Sequence, residues 1–544
     1  MSIKQTLIEN EAKHSLFEES LRNLPITILP NFFRDNIIRP LVFDIHEQHL
    51  PIKDSIRPYF NALNKDDVLV GSSDVLTVEN KNIAVLFSGG PAAGGHNVIA
   101  GLKHALGNKN TLYGVQKGPK GLIEGQLVEL SDEDIKNVIN LGGFDLLGSD
   151  RTKIKSKDQF NKVKKTVADF QLDGLIIIGG DDSNTNAAFL AEELYELGCT
   201  VVGVPKTIDG DLQVDSLLPI SFGFDTATKI YAELVGNILQ DTPSSQKYWH
   251  FVKLMGRSAS HITLEVALQT QPHLTLISEE IYEKKWTLNE LIEYMADVII
   301  KRSKKGLNYG VVLIPEGLIE FIEDLKTLIE NLNAINYQSE TELNQKLAKE
   351  SKDIFKTLPK LIQEQLLLDR DSHGNLKLSQ IDTQLLLIEM LNDYFKSNGI
   401  DIPFNGISHF FGYEGRCGAP SAFDATFTYN LGLTAGSLVL GEHTGYMAGI
   451  TSFDGTAKPL GIPLLGLLDI EKRENKDAVV IKKAIVDLES PAFKLFSERR
   501  HVWAENDSFS SPGPRQYWGP ISKRLPMTTA LNEGYSNLNF SFGH

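Results

Sequence analysis

The chain of 544 residues is too long for one ordinary domain, so two to four units with their own cores are expected. Its 42% hydrophobic and 23% charged residues are typical of a globular protein and exclude a disordered chain. The formal charge of −16 argues against nucleic acid or an anionic membrane as a partner.

The two cysteines, Cys199 and Cys417, cannot form a disulfide framework and are not spaced as metal ligands. This usage favours a reducing compartment. The first fifteen residues mix acids with apolar residues, unlike a signal peptide, and no apolar run approaches the ~18 residues that span a bilayer. We therefore expect a cytoplasmic protein without membrane contact.

Residues 1–80 are interrupted by proline too often for long helices, which predicts an irregular N-terminal extension. These prolines are Pro25, Pro30, Pro40, Pro51 and Pro58.

From residue 81, short apolar runs end in glycine-rich turns. Runs of this length without strict alternation predict strands that are covered on both faces, as in a parallel sheet flanked by helices. The runs are IAVLF (83–87), LIIIGG (175–180), TVVGVP (200–205), FVKLMG (251–256) and YGVVLIPEG (309–317).

Helical patterns follow these runs. Ala187, Leu190, Leu194 and Leu197 share one helix face, and Gly198 predicts its end. Strand, glycine turn and helix form the unit of an open α/β fold, in which ligands gather at the carboxyl ends of the strands.

Residues 317–399 break this rhythm with an amphipathic stripe, Phe321, Leu325, Leu328 and Leu332, followed by further helical stretches. We interpret this range as a helical insertion, either a cap or a subunit contact. The α/β pattern returns at about 400–475. The segment 476–544 is a C-terminal extension whose end is rich in Pro, Gly, Ser and Asn, typical of an extended or partly mobile arm.

The first candidate site is SGGPAAGGHN (88–97), which lies between a predicted strand and a predicted helix. Glycines let the backbone approach an anion, and a helix N-terminus favours negative charge. The segment lacks the lysine of a Walker A loop and the spacing of GxGxxG. A phosphate loop and a simple tight turn are equally consistent with it.

The second and third candidates carry carboxylates. GGDDSNTN (179–186) places Asp181 and Asp182 at a helix start, where they either cap the helix or hold a Mg²⁺ that bridges phosphates. VPKTIDGDL (204–212) puts Lys206 near Asp209 and Asp211, either as a surface pair or as a phosphate clamp beside a base for an alcohol.

Arginines elsewhere would supply the cations that an acidic protein needs to bind a phosphate ester. Arg151 in GSDRTK, Arg257 in MGRSASH and Arg416 in YEGR are candidate anion ligands, although each alone is more often a surface ion-pair residue. Glu316 in IPEG is either an exposed strand-end carboxylate or a ligand for sugar hydroxyls.

In order, the chain contains SGG, GSDR, GGDDS, PKTIDGD, MGR, PEG and YEGR. Together these motifs resemble the phosphofructokinase superfamily, over residues 81–316 and about 400–450. The length, the insertion before YEGR and the extra termini resemble its long pyrophosphate-dependent branch.

The resemblance implies an α/β fold of two Rossmann-like three-layer domains with parallel-rich sheets. The implied pyrophosphate and Mg²⁺ domain is 81–243, completed by about 415–475. The implied sugar-phosphate domain is 244–316, completed by about 400–414.

The resemblance also implies residue roles. Gly89, Arg151 and Lys206 would bind pyrophosphate, Asp181 would hold Mg²⁺, and Asp209 would be the base for the 1-hydroxyl of fructose 6-phosphate. The remaining residues implied to line the sugar site are Thr207, Ile208, Lys247, Tyr248, Met255, Gly256, Arg257, Glu316, Tyr413, Glu414, Gly415 and Arg416. In oligomeric relatives a Lys-Tyr pair can reach the neighbouring subunit's sugar phosphate, so a homodimer or higher homo-oligomer is expected.

The donor prediction depends on Asp182 and Lys206. ATP-using relatives have glycine at the position of Asp182, and an aspartate there adds bulk and charge against a nucleoside triphosphate. Lys206 would stabilise the leaving phosphate. We therefore expect glycolytic phosphoryl transfer from pyrophosphate to fructose 6-phosphate. An ATP-dependent enzyme, a non-catalytic regulatory subunit and a longer sugar such as sedoheptulose 7-phosphate remain alternatives.

Overall fold

A computed structural model describes residues 16–34, 37–214, 216–335, 340–367, 381–453, 456–473, 476–513 and 525–534. The first fifteen residues, two parts of the helical insertion and much of the C-terminal arm, for which we made predictions, lie outside these ranges.

The described strands fall into two principal sheets and two short ribbons. Numbered in chain order, they are β1 Phe33–Arg34, β2 Ile37–Ile38, β3 Leu41–His49, β4 Asp67–Val75, β5 Asn82–Phe87, β6 Thr111–Val115, β7 Leu127–Glu129, β8 Gly174–Gly179, β9 Thr200–Thr207, β10 Phe222–Gly223, β11 Trp249–Leu254, β12 Leu274–Thr275, β13 Gly310–Pro315, β14 Gly406–Phe411, β15 Tyr446–Thr451, β16 Lys458–Pro463, β17 Leu468–Arg473 and β18 Lys476–Ile481.

Helices surround and connect these strands. Those described are Leu16–Arg22, Gly95–Leu106, Gly118–Glu124, Asp132–Val138, Lys157–Asp169, Asp181–Glu193, Phe224–Ser245, His261–Thr270, Ser278–Glu283, Leu288–Lys304, Glu323–Ala334, Glu340–Lys346, Lys349–Thr357, Lys360–Leu367, Thr383–Ser397, Ala422–Leu440, Leu464–Leu467, Pro491–Glu505 and Met527–Asn532.

The large sheet has the order β3-β4-β16-β15-β9-β8-β5-β6-β7, with β10 added beside β9. Its centre, from β15 to β6, is parallel, and its outer pairs are antiparallel. Every residue of β8 is buried, as expected for a strand covered on both faces. The five strands predicted from apolar runs are therefore confirmed, three in this sheet and two in the next.

The small sheet has the order β12-β13-β11-β14 and is parallel throughout. Helices of the insertion share its hydrophobic core, because Leu325 and Leu386 belong to the same buried cluster as Phe251 and Ile314. The predicted α/β fold with parallel-rich sheets is confirmed.

The prediction that residues 1–80 are irregular was wrong for two segments, Leu41–His49 and Asp67–Val75. β3 and β4 form an antiparallel hairpin that extends the large sheet through β16. The prolines that interrupt this range lie outside both strands, so they exclude long helices but leave two nine-residue strands intact.

A close crossing of two helices holds the turn that follows β5. Gly101 of helix Gly95–Leu106 faces Gly432 of helix Ala422–Leu440. A Cβ on Gly432 would lie 2.1 Å from the Val98 carbonyl oxygen, and one on Gly101 would lie 2.0 Å from that of Tyr429. Only glycine allows such close backbones, so this pair ties the turn after β5 to the segment after Arg416.

Among the described residues, none of the helices is both long and apolar enough to cross a bilayer.

Candidate active site

The site lies where the carboxyl ends of strands from both sheets meet. The turn after β5 supplies Gly89, which adopts a left-handed φ of +87°. Its N–H is already donated to the Asp150 carbonyl oxygen at 2.9 Å, and a Cβ on it would lie 3.4 Å from Lys206 Nζ. Gly89 therefore contributes space beside a lysine rather than a free N–H donor.

Lys206 is the penultimate residue of β9, and its ammonium is buried. Burial lowers the pKa of Lys206 to about 8, while Asp209 and Asp181 oppose this shift and Arg416 and Arg151 add to it. Lys206 is thus a fixed cation within electrostatic reach of both acidic and basic site residues.

Asp209 follows β9 in a turn held by Thr207. The Thr207 hydroxyl accepts the Asp209 N–H at 3.0 Å and donates to Asp211 Oδ1 at 3.0 Å. Burial, and then the negative charge of Asp211, raise the pKa of Asp209 to about 6, against the opposing charges of Arg257 and Lys483. A carboxyl group with such a pKa is suited to accept a proton near neutral pH.

Asp181 begins helix Asp181–Glu193, directly after β8. Burial raises its pKa, an effect that Lys483 opposes and that Asp182 and Asp211 reinforce. Asp182 points elsewhere, because its carboxylate pairs with Lys153 Nζ at 2.7 Å on the more exposed side of the helix. The two adjacent aspartates therefore have different partners.

Asp181 and Asp211 face a common space. The Lys483 ammonium lies 3.2 Å from Asp211 Oδ2 and 3.9 Å from Asp181 Oδ2. The two carboxylates offer only oxygen ligands. Such a pair fits a Mg²⁺ ion that takes few ligands from the protein and the rest from water and phosphate.

The small sheet supplies the opposite wall. Met255, Gly256 and Arg257 follow β11, and Glu316 follows β13. The buried Glu316 carboxylate accepts the Gly256 N–H at 2.9 Å, which fixes the two strand ends to each other.

The segment after β14 carries Tyr413, Glu414, Gly415 and Arg416. The Arg416 guanidinium lies over the Tyr413 ring at 5.5 Å, and Tyr413 itself is 74% exposed. The Glu414 carboxylate accepts the Gly412 N–H at 2.7 Å. Gly415 packs so tightly on Tyr231 that a Cβ would lie 2.6 Å from its hydroxyl oxygen.

Three arginines converge at this edge. Burial, and then the positive charges of Arg257 and Arg416, lower the pKa of Arg151. A Cβ on Gly90 would lie 1.8 Å from one Arg416 nitrogen and 3.4 Å from one Arg151 nitrogen. Within the described ranges, none of the three has a carboxylate at ion-pair distance, an arrangement suited to an anionic ligand.

Ile208, which lies between Thr207 and Asp209 in sequence, is buried. Lys247 and Tyr248 lie apart from the other predicted residues. They precede β11, whereas Met255 follows it, so the six-residue strand separates them by roughly 20 Å. Within one chain the structure does not bring them to the site.

Sequence reasoning missed two cations. Lys153 belongs to the GSDRTK segment but had no assigned partner, and no local pattern pairs it with Asp182. Lys483 lies in the C-terminal extension, outside every motif, so only the tertiary structure places it between Asp181 and Asp211.

Comparison with known proteins agrees with this geometry. The family described as Phosphofructokinase matches residues 82–439. The chain is 47% identical over 484 residues to the pyrophosphate–fructose 6-phosphate 1-phosphotransferase subunit beta of Solanum tuberosum, which covers 85% of this chain and 84% of that protein. It is 45% identical over 489 residues to the pyrophosphate–fructose 6-phosphate 1-phosphotransferase of Treponema pallidum, covering 85% of each.

A solved structure, the pyrophosphate-dependent phosphofructokinase of Marinobacter aquaeolei, superimposes with a TM-score of 0.51 over 80% of this chain and 96% of that one. At 18% identity this likeness concerns the fold alone. The family match and the two relatives cover most of the sequence, including each strand end that forms the site. The chain therefore belongs to the phosphofructokinase family.

Proposed function

We propose that the chain catalyses reversible phosphoryl transfer from pyrophosphate to the 1-hydroxyl of fructose 6-phosphate. The products are fructose 1,6-bisphosphate and phosphate, as in glycolysis. The proposal is supported by relatives at 45% and 47% identity that are named for this reaction. The observation that carries it is the buried Lys206 beside Asp209, at the edge where the three arginines converge.

In the proposed mechanism, Asp209 takes the proton of the 1-hydroxyl as that oxygen bonds to phosphorus and the bond to the leaving phosphate breaks. Lys206 stabilises the negative charge that develops on this leaving phosphate. Arg151 and Gly89 line the pyrophosphate side. These groups hold and orient the two anions, which is most of what phosphoryl transfer requires.

The sugar side is assigned to the strand ends of the small sheet and to the turn after β9. Glu316 orients the backbone at Gly256, and Arg257 and Arg416 face the sugar phosphate. The other proposed sugar-site residues are Thr207, Ile208, Met255, Tyr413, Glu414 and Gly415. A longer sugar phosphate remains an alternative acceptor.

A divalent ion, proposed to be Mg²⁺, fits the carboxylates of Asp181 and Asp211. When bound, it would offset negative charge on the phosphate oxygens. The chain directs both carboxylates at one point, and the positive charge of Lys483 opposes the burial that raises the pKa of Asp181.

Lys247 and Tyr248 enter the proposal only through a second copy of the chain. Since they lie at the opposite end of β11 from Arg257, they would serve a neighbouring subunit's sugar phosphate in a homodimer or larger homo-oligomer. The cytoplasmic location also stays a proposal, supported by the two free cysteines.

The deciding assay supplies fructose 6-phosphate and Mg²⁺ and compares pyrophosphate with ATP as donor. Activity with pyrophosphate alone is expected. Activity with ATP alone would overturn the role given to Asp182 but keep Asp209 as base. Inactivity with both donors would favour a regulatory subunit that needs a catalytic partner chain.

A further inference from the structure

Lys483 lies beyond residue 439, where the family match ends, and yet its side chain reaches the centre of the site. Its side chain contacts residues from both walls of the site, that of the large sheet and that of the small sheet. Its ammonium contacts Asp211 and Asp181 at strand ends of the large sheet and donates to the Ser258 hydroxyl, 2.8 Å away, on the loop after β11.

The backbone around Lys483 is held independently of its side chain. Ile481 N donates to Thr185 Oγ1 at 2.9 Å, in the helix that begins with Asp181. Ala484 N donates to the Asp211 carbonyl oxygen at 2.7 Å, and its own carbonyl oxygen meets His261 Nε2 at 3.1 Å. The chain segment is thus fixed to the site on both sides of Lys483.

A fourth contact joins this segment to the sugar side. The Glu279 carboxylate oxygen Oε1 accepts both the Ser260 N–H and the Val486 N–H, each at 3.0 Å. The loop that carries Ser258 and the segment that carries Lys483 therefore share one buried carboxylate. Since these backbone bonds anchor the segment, removing only the Lys483 amine should leave the fold intact.

Charge explains why a cation belongs at this point. The negative charge of Asp211 helps to raise the pKa of Asp181 and that of Asp209, so Asp211 lies close to both carboxylates. Like charges at such distances repel, and an ammonium between two of them offsets the repulsion. The side chain of Lys483 is 27% exposed and that of Asp211 is 4% exposed, so water screens this contact only in part.

We infer that Lys483 is a positioning residue of the proposed phosphotransferase site, which holds the carboxylates of Asp211 and Asp181 in register with the loop of Ser258. The inference rests on the proposed function for its effect on turnover. It also makes the C-terminal extension part of the site rather than an appendage.

The test uses the full chain with Lys483→Met, which keeps the length of the side chain and removes its charge. Lys483→Arg is the conservative variant. Lys482→Met is the matched control, because Lys482 is the neighbouring lysine and is exposed. Three readouts are needed: the melting temperature, the steady-state constants with fructose 6-phosphate and pyrophosphate, and Mn²⁺ binding to the substrate-free protein by electron paramagnetic resonance.

We expect Lys483→Met to lower kcat by at least about tenfold with a smaller change in KM for fructose 6-phosphate, since a group that orients others acts mainly on turnover. Without substrates it should bind Mn²⁺ at least about tenfold more tightly, because the carboxylates lose a competing cation. Lys483→Arg should recover most of both properties, and Lys482→Met should match the wild type.

The inference is overturned if Lys483→Met matches Lys482→Met in both kcat and Mn²⁺ affinity. A lower melting temperature with unchanged Mn²⁺ affinity would also overturn it, since that is the result of an anchoring role alone. If Lys483→Met does not fold, Lys483→Gln, which also removes the charge, carries the same test, and kcat and Mn²⁺ affinity equal to those of Lys482→Met would overturn the inference in that variant too. Should the wild type itself be inactive with pyrophosphate, the proposed function fails, while Mn²⁺ affinity still decides the role of Lys483.

Discussion

Replacing Lys206 by arginine should extend activity into alkaline solution. Burial lowers the pKa of Lys206 to about 8, so the wild-type ammonium loses its proton above that pH. An arginine at this position stays charged throughout. Burial shifts the pKa of the Asp209 carboxyl group in the opposite direction and raises it to about 6. Below that pH Asp209 is protonated and cannot act as the base.

The wild type should therefore give a bell-shaped dependence of kcat/KM for pyrophosphate, with limbs near pH 6 and pH 8. At pH 9 only about one tenth of wild-type molecules keep Lys206 charged, against about nine tenths at pH 7. Whatever activity the variant retains at pH 7, its ratio to the wild type should rise about tenfold by pH 9. The ratio should stay flat from pH 7 to pH 5, because both proteins share Asp209.

The assay is the initial rate at subsaturating pyrophosphate and saturating fructose 6-phosphate, measured for both proteins in the same buffers. Taking the ratio at each pH cancels the ionisation of the substrates, which is common to both proteins. A ratio that does not change between pH 7 and pH 9 would refute the assignment of the alkaline limb to Lys206. A ratio that changes between pH 5 and pH 7 would show that the substitution also disturbs Asp209.

Three further predictions concern single positions. Asp209→Asn should lower kcat by about 10²–10⁴ while fructose 6-phosphate binding, measured by calorimetry, stays near that of the wild type; near-normal turnover would exclude Asp209 as the base. Asp182→Gly should raise kcat/KM for ATP by about fivefold or more, since a half-exposed negative charge beside a nucleotide phosphate is worth about 1 kcal/mol in water. Lys153→Met, which removes the ammonium 2.7 Å from the Asp182 carboxylate, should lower kcat/KM for ATP. Gly432→Ala should destabilise the protein by about 1–3 kcal/mol, because the new Cβ would lie 2.1 Å from the Val98 carbonyl oxygen; an unchanged melting temperature would contradict the close crossing.

The parallel centre of the fold could be predicted because its signal is local. A fully buried strand such as β8 is a continuous apolar run that ends in glycine, and both features are visible in LIIIGG. The hairpin of β3 and β4 escaped prediction because its strands are partly exposed and lie among prolines. Leu194 and Leu197, predicted on the helix face, both follow the helix end at Glu193; Leu194 is its buried C-cap, whereas Leu197 is 50% exposed.

The site shows the same limit. Asp181, Lys206 and Asp209 could be found because each directly follows or ends a predicted strand, where ligands of α/β folds gather. Lys483 and Lys153 had no such signal, since their positions depend on contacts with residues far away in sequence. The different surroundings of Asp181 and Asp182 also could not be read from adjacent letters, because a helix start directs successive side chains to different sides.

The place of β15 and β16 in the large sheet has a consequence for how the protein is made. β4 ends at Val75 and β9 at Thr207, and the two strands that separate them are made about 240 residues after β9. At ribosomal speed this delay lasts roughly tens of seconds. During it, Val202 and Gly203 of β9, with which β15 later pairs, have no strand on that edge, although β10 already pairs with Lys206 and Thr207. An unpaired apolar edge invites association with other chains, so the nascent protein is most exposed to aggregation over this interval. The strand that carries Lys206 thus depends on protection by chaperones until β15, which lies in the last fifth of the chain, has been made.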